Sequence, residues 1–250
     1  MFETLKPLPA DAILGLIAEH KNDLRQNKID LGVGVYRNAM GETPVLDAVK
    51  QAERHLLETQ SSKTYLGTAG DPAFNRAMQT LTFADSAPVD RLRTLQAPGG
   101  SGSLRVAAGL ILRARDNATV WVSEPTWNNH VPLLGGAGLR LKAYAYYDTE
   151  KRAIDFDAML DALRHVPKGD LLLLHASCHN PSGHDPTEEQ WREITDVVVE
   201  RELVPFIDMA YQGFATDLDT DAFAIRHMAD KVPEMIVSSS CSKNFGLYRD

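Results

Sequence analysis

Lys243 stands in the stretch Ser240-Cys241-Ser242-Lys243-Asn244, small polar residues that follow the apolar run Met235–Ser238. A lysine amine among desolvating neighbours is a nucleophile that forms Schiff bases with carbonyl compounds. Asp208 follows a second apolar run, Val204–Ile207, and Tyr211 comes one helical turn later. A carboxylate there either caps a loop or holds a cationic nitrogen; the tyrosine is either a core aromatic or a hydroxyl aimed at a ligand. After the run Leu171–Leu174 come His175 and then His179-Asn180-Pro181-Ser182-Gly183. After Thr119–Ser123 come Glu124-Pro125-Thr126-Trp127 and His130. Finally, Pro98-Gly99-Gly100-Ser101-Gly102-Ser103 precedes a helical pattern from about Leu104 to Arg115. Glycines let backbone approach an anion, and the N–H groups opening a helix point at it, so a phosphate suits this segment.

Several familiar chemistries do not fit these residues. The third glycine of a dinucleotide fingerprint would fall on Arg105, and no Gly-Lys-Ser/Thr follows to make a P-loop. A hydrolase elbow needs glycine at position 103, which is serine. His175, Cys178, His179 and His184 have no zinc-ligand spacing and no second pair downstream, so no metal is expected.

The elements that must position these side chains alternate along the chain. The four apolar runs are of strand length, bounded by Pro, Gly, Asn or Asp, and separated by helical stretches. Runs apolar on consecutive residues suit parallel strands covered on both faces, whereas Leu139–Tyr147 alternates and suits a more exposed strand. Helices are expected over Asp11–His20 (with apolar Ile13, Leu14, Leu16 and Ile17), from a Thr43-Pro44 cap through Leu56, and from Asp71-Pro72 through Leu81. Thr187 and Gln190 form a capping box for another, with Trp191, Ile194 and Val198 inward. The pattern is α/β with a mostly parallel sheet, in which ligands sit beyond the carboxyl ends of the strands.

Composition narrows the partners. The 250 residues carry 26 Lys+Arg against 34 Asp+Glu, a formal charge of −8, and 44% are hydrophobic. That is enough to bury a core, and the acidic balance argues against nucleic acid or an anionic membrane as main partner. Two cysteines, Cys178 and Cys241, make no disulfide framework, and no signal peptide or membrane span is apparent. A soluble, cytoplasmic protein is expected.

Phosphate loop, Asn, Asp…Tyr and Lys, in that order on successive strand ends, describe a site for pyridoxal phosphate, and here longer motifs join in. Ser240-Cys241-Ser242-Lys243-Asn244-Phe245-Gly246-Leu247-Tyr248 resembles the lysine motif of the class I, fold-type I aspartate and aromatic amino-acid aminotransferases. His179-Asn180-Pro181-Ser182-Gly183 resembles that family's HNPTG with Ser for Thr, and Asp208-Met209-Ala210-Tyr211-Gln212-Gly213-Phe214 its D-x-A-Y-Q-G-F. Leu31-Gly32-Val33-Gly34-Val35-Tyr36, Lys63-Thr64-Tyr65-Leu66-Gly67 and Trp127-Asn128-Asn129-His130 are similar to further family motifs.

The resemblance implies a three-layer pyridoxal-phosphate-transferase-like large domain over residues 44–250, and an N-terminal arm and small-domain segment over residues 1–43. It implies transfer of the amino group of an acidic or aromatic L-amino acid (aspartate, tyrosine, phenylalanine) to a 2-oxo acid such as 2-oxoglutarate. Lys243 would carry the cofactor as a Schiff base and move the substrate's α-proton. Asp208 would pair with the ring nitrogen, with His130 and His175 supporting it, and Tyr211 and Asn180 would bond the phenolic oxygen. Trp127 would face the ring, and Gly100, Ser101 and Ser240 would bind the phosphate. Tyr65 would reach the phosphate in the partner subunit, implying a homodimer with shared sites; Gly34, Trp127 and Asn180 would meet substrate.

The family's second phosphate-binding arginine and its substrate-carboxylate arginine lie past the stretch Tyr248-Arg249-Asp250, and Arg249 is not assigned to either. The expected consequence is that a chain ending at Asp250 is poorly active, the alternative reading being a truncated, inactive or partner-dependent fragment that binds cofactor. Aspartate and aromatic preference are not separable from these residues.

Overall fold

The apolar runs become the strands of one parallel sheet. The computed structural model describes residues 2–4, 6, 12–30, 32 and 34–248; Asp11, Leu31, Val33, Arg249 and Asp250, named above, lie outside the described residues. The strands are β1 (Thr119–Glu124), β2 (Arg140–Ala145), β5 (Leu171–His175), β6 (Val204–Met209) and β7 (Ile236–Ser239), in the spatial order β2-β1-β5-β6-β7 with every pairing parallel. The short β3 (Tyr147–Asp148) and β4 (Ala153–Ile154) pair antiparallel apart from it. β5 is central and buried along its whole length, whereas the edge strand β2 is largely exposed, matching the alternating pattern of its sequence.

Helices cover both faces: α4 (Gly99–Ala114) on one, and α5 (Phe156–Arg164), α6 (Glu188–Glu200) and α7 (Phe223–Lys231) on the other. Because side chains alternate along a strand, Leu171, Leu173 and Phe206 pack with Leu104, Ala108 and Ile111 of α4, while Leu172, Leu174 and Ile207 pack with Trp191, Ile194 and Ile225. The same alternation puts His175 and Asp208 on the α4 face. Pairing in register then sets His175 beside Asp208 and Asp208 beside Ser238, one row across three strand ends.

Two helix starts differ from the sequence expectation. α2 spans Asp47–Thr59, not from Thr43-Pro44: the Thr43 hydroxyl donates to the Tyr36 carbonyl at 2.9 Å, and Leu46 is extended. Thr43 is thus spent tying down the arm, and no side chain caps α2. α4 begins at Gly99, ahead of the expected Leu104, so the glycines form its first turn rather than a loop before it. By contrast, α3 (Pro72–Phe83) starts as expected, with Asp71 accepting from the N–H groups of Ala73 and Phe74. The Thr187–Gln190 capping box of α6 has both of its bonds. α1 (Ala12–Asn22) matches its expectation within two residues at its C-terminal end. Among the described residues no helix is long and apolar enough to cross a membrane.

Candidate active site

A cavity of about 420 Å³ opens at the carboxyl ends of the strands, on the α4 face. Gly100, Ser101, Trp127, His175, Asn180, Asp208, Tyr211, Ser240 and Lys243 all line it. They come from five separate stretches of chain, brought together because each follows a strand or opens α4. Tyr65 and Gly34 are elsewhere: both stand outside this cavity, and Tyr65 is 100% exposed.

At one wall, the first turn of α4 presents backbone N–H groups that have no partner within the helix. Gly102 is required there, since a Cβ on it would lie 2.8 Å from ring carbons of Pro98. Ser240 faces this turn, its side chain 3.5 Å from where a Cβ on Gly100 would stand, and its buried Oγ has no hydrogen-bond partner. Unfilled N–H donors beside an unfilled hydroxyl form a built anion cradle.

At the opposite wall, Asp208 is backed by a line of hydrogen bonds. Oδ2 of Asp208 is 2.9 Å from Nε2 of the fully buried His130. Nδ1 of His130 is 2.8 Å from the Thr126 hydroxyl, which lies 3.4 Å from Nε2 of His175. Nδ1 of His175 accepts the Asn180 backbone N–H at 3.1 Å. A backbone N–H only donates and a carboxylate only accepts, so one arrangement uses every proton once. The His175 Nε2–H donates to Thr126, the Thr126 O–H to His130 Nδ1, and the His130 Nε2–H to Asp208. Burial holds His175 well below the ordinary imidazole range, with His179 and His130 adding to the effect, so it is the neutral ring this order requires.

His175 and His130 are further fixed by rings. His130 meets Trp127 and His175 edge to face, with centroids 5.3 and 5.0 Å apart. His179 stacks between His175 and Tyr146 at 4.3 and 4.0 Å. It is hydrogen-bonded to the hydroxyls of Ser123 and Ser182, and burial depresses its pKa to about 4.

Lys243 Nζ lies 5.1 Å from the centroid of the Tyr211 ring. Burial pushes the Tyr211 phenol up, a hydrogen bond from the Asn180 side chain pulls it down, and Asp208 pushes it up again. Sequence reasoning assigned no role to Thr126, although it named the residue, and it missed Tyr146, Asp185 and Tyr248. Tyr248 also lines the cavity, and its hydroxyl accepts the Tyr36 N–H at 2.8 Å, joining the N-terminal arm to the site. The signal for Asp185 was present: a short carboxylate just past a Pro-Ser-Gly turn is a common backbone acceptor.

Fold and site together define a parallel α/β protein with a lysine, an aspartate and an anion cradle around one cavity. The chain belongs to the family of class I and class II aminotransferases, whose model matches residues 26–250. It is 47% identical over 253 aligned residues to the aspartate aminotransferase of Escherichia coli, and 46% identical over 252 to the aromatic-amino-acid aminotransferase of Pseudomonas aeruginosa. Those alignments take in all of this chain but 64% and 63% of the relatives, so it spans less than two thirds of their length. Among solved structures, an aromatic amino acid aminotransferase with 3-indolebutyric acid superposes with TM-score 0.96 at 45% identity, over 100% of this chain and 63% of that one. An aromatic-amino-acid aminotransferase from Burkholderia pseudomallei, covalently bound to pyridoxal phosphate, gives TM-score 0.95 at 40% identity with the same coverage.

Proposed function

We propose that the cavity holds pyridoxal 5′-phosphate on Lys243 and that the protein transfers amino groups between an acidic or aromatic L-amino acid and a 2-oxo acid such as 2-oxoglutarate. The observation that carries this reading is one cavity lined together by Lys243, Tyr211, Asn180, Asp208 and the anion cradle of Gly100, Ser101 and Ser240. The residues fit the cofactor's three recognisable parts. The orphaned Ser240 hydroxyl and the N–H groups of Gly100 and Ser101 suit its phosphate. Asp208 suits its ring nitrogen, and the Asn180–Tyr211 pair suits its phenolic oxygen.

Bound there, pyridoxal phosphate supplies a ring that withdraws the electron pair left when a substrate α-carbon loses its proton. The chain's own groups do the rest. Lys243 holds the cofactor through Nζ and, once released, carries the α-proton on the same atom. Asp208 would take the ring N–H, with His130 against its Oδ2 holding the carboxylate in place. Tyr211 and Asn180 donate to a phenolic oxygen, Trp127 gives the cavity an aromatic wall, and His130 with His175 fixes Asp208 from behind. Trp127 and Asn180 line the cavity in which the substrate would sit, and Gly34 would approach it from the arm outside.

The reading extends to assembly and organisation. The exposed apolar side chains of Val45, Leu56, Leu57, Tyr65 and Leu66 support a homodimer in which Tyr65 serves the partner's phosphate site. Residues 44–250 form the cofactor-binding domain and residues 1–43 an arm with a small-domain segment. Cys178 and Cys241 are free thiols, as a cytoplasmic protein keeps them.

The test is an absorbance spectrum of the purified chain with pyridoxal phosphate, before and after L-aspartate and then L-tyrosine. The expected result is a Schiff-base band, absent in Lys243→Ala, that converts to the pyridoxamine form with the better donor. A band that neither amino acid alters supports instead a fragment that binds cofactor without substrate recognition. No band at all overturns the proposal.

A further inference from the structure

We infer that Asp185 is a positioning residue whose carboxylate shapes the turn at residues 178–180 and thereby sets the proton order of the hydrogen-bond line behind Asp208. The inference deepens the functional reading above and rests on it only for the use to which that line is put; the geometry stands without it.

Asp185 takes two successive backbone donors, the Cys178 N–H at 2.6 Å on Oδ2 and the His179 N–H at 2.8 Å on Oδ1. Cys178 has φ +52°, a left-handed conformation that is strained for a residue with a Cβ. The next N–H along, that of Asn180, is the one that reaches His175 Nδ1. Three consecutive N–H groups are therefore aimed outward by one turn, two of them held on a single carboxylate. A carboxylate gives each of these donors its own oxygen, whereas in an isosteric amide one of the two positions is an NH₂ that cannot accept. Burial pushes the Asp185 carboxyl pKa up while the two N–H groups pull it down, and the nearby Asp221 pushes it up again. A half-buried carboxylate with that opposition is costly to keep unless the turn depends on it.

The consequence reaches Asp208 along the hydrogen-bond line. With the Asn180 N–H on Nδ1, the proton of neutral His175 must sit on Nε2. That proton fills one lone pair of Thr126, whose own hydrogen then goes to His130 Nδ1, which leaves Nε2–H as the donor to Asp208. If the turn at Cys178 relaxes, the Asn180 N–H leaves Nδ1 and His175 is free to exchange tautomers. The same movement carries the Asn180 side chain, which lines the cavity together with Tyr211. His179 contributes by stacking on His175 while its nitrogens are tied to Ser123 and Ser182, so the His175 ring cannot follow the turn.

The test is nitrogen-15 NMR of the imidazoles in the chain without cofactor, comparing wild type, Asp185→Asn and Asp221→Asn. Asp221 is the control because it also staples a loop, accepting from Gly213, Ala215 and Thr216 at 2.8, 3.0 and 2.9 Å, and among the described residues no hydrogen bond or ion pair joins it to a histidine. Wild type is expected to show His175 as one tautomer protonated on Nε2, with scalar coupling across the hydrogen bond between the Asn180 nitrogen and His175 Nδ1. Asp185→Asn is expected to lose that coupling and populate both tautomers, while Asp221→Asn keeps the wild-type pattern. A wild-type His175 protonated on Nδ1 overturns the inference without any variant, as does a folded Asp185→Asn with unchanged His175 signals. Equal disturbance of His175 in both variants also overturns it, since the effect is then general loosening. If Asp185→Asn does not fold, the wild-type tautomer and coupling decide alone. Failure to bind pyridoxal phosphate would refute the functional proposal and leave these signals untouched.

Discussion

The two ends of this chain are built on opposite terms. From β1 onward a set of polar residues is buried, and the histidines among them are paired: His130 is 0% exposed and engaged at both ring nitrogens, and His175 and His179 are enclosed by rings and hydrogen bonds. Among the described residues up to Leu66 many large apolar side chains stand in the open, with Leu24 92% and Leu57 85% exposed, and of α2 only Val49 is buried. A sheet with helices on both faces supplies its own interior, so the site it carries is positioned within this one chain. A helix whose apolar side chains face outward has its stabilising surface still to be covered. The contrast separates what this chain organises by itself from the apolar surface it leaves uncovered.

The largest effect should come from the sheet. Phe206→Ala removes a fully buried ring between β6 and α4 and should cost about 3–5 kcal/mol, read as a lower urea midpoint at unchanged m-value. An effect under about 1 kcal/mol would mean that the α4 face is not the closed interior described here.

Acid should act next, and through the site. The folded-state pKa of His179, about 4, lies below its unfolded value near 6.5, and His175 is shifted in the same direction. Between those limits the unfolded chain binds protons that the folded one does not, so this stability is full above about pH 6.5 and lost as pH falls towards 4. The slope should reach up to about 1.4 kcal/mol per pH unit for each histidine, measured as urea midpoints from pH 7 to 4.5. His179→Gln should flatten it; an unchanged slope would place the acid-sensitive groups elsewhere.

Gly102→Ala forces a Cβ against Pro98 and should cost about 1–3 kcal/mol while displacing the first turn of α4. Isothermal titration with pyridoxal phosphate should show weakened binding, and full affinity with lost stability would separate the turn from the anion cradle. The smallest effect on stability belongs to the exposed end. Leu57→Ser should move the urea midpoint of dilute protein by less than about 0.5 kcal/mol. It should nevertheless weaken self-association about tenfold in sedimentation equilibrium, the loss of one buried leucine at an interface. Unchanged association would remove this face from the proposed dimer.

The buried half was also the more legible half. Strand runs, the capping box at Thr187 and the Asp71-Pro72 cap are local signals, and each element forms because tertiary packing agrees with them. The order of strand ends was therefore enough to collect Lys243, Asp208, Tyr211 and Asn180 at one cavity. What sequence could not show was the use of a side chain by a distant partner. Thr43 looks like a cap but spends its hydroxyl on Tyr36, and Thr126 is one threonine among many until two histidines close on it. Glycine is a poor helix former, so the early start of α4 was hidden by the very residues that leave room for a phosphate.

The central claim is that one lysine, at the end of β7, is the cofactor's anchor. Borohydride reduction of the chain loaded with pyridoxal phosphate, followed by peptide mass spectrometry, tests it directly. The expected result is a single stoichiometric adduct on Lys243, lost in Lys243→Ala. Adducts spread over surface lysines such as Lys50 and Lys151, undiminished in that variant, would contradict it.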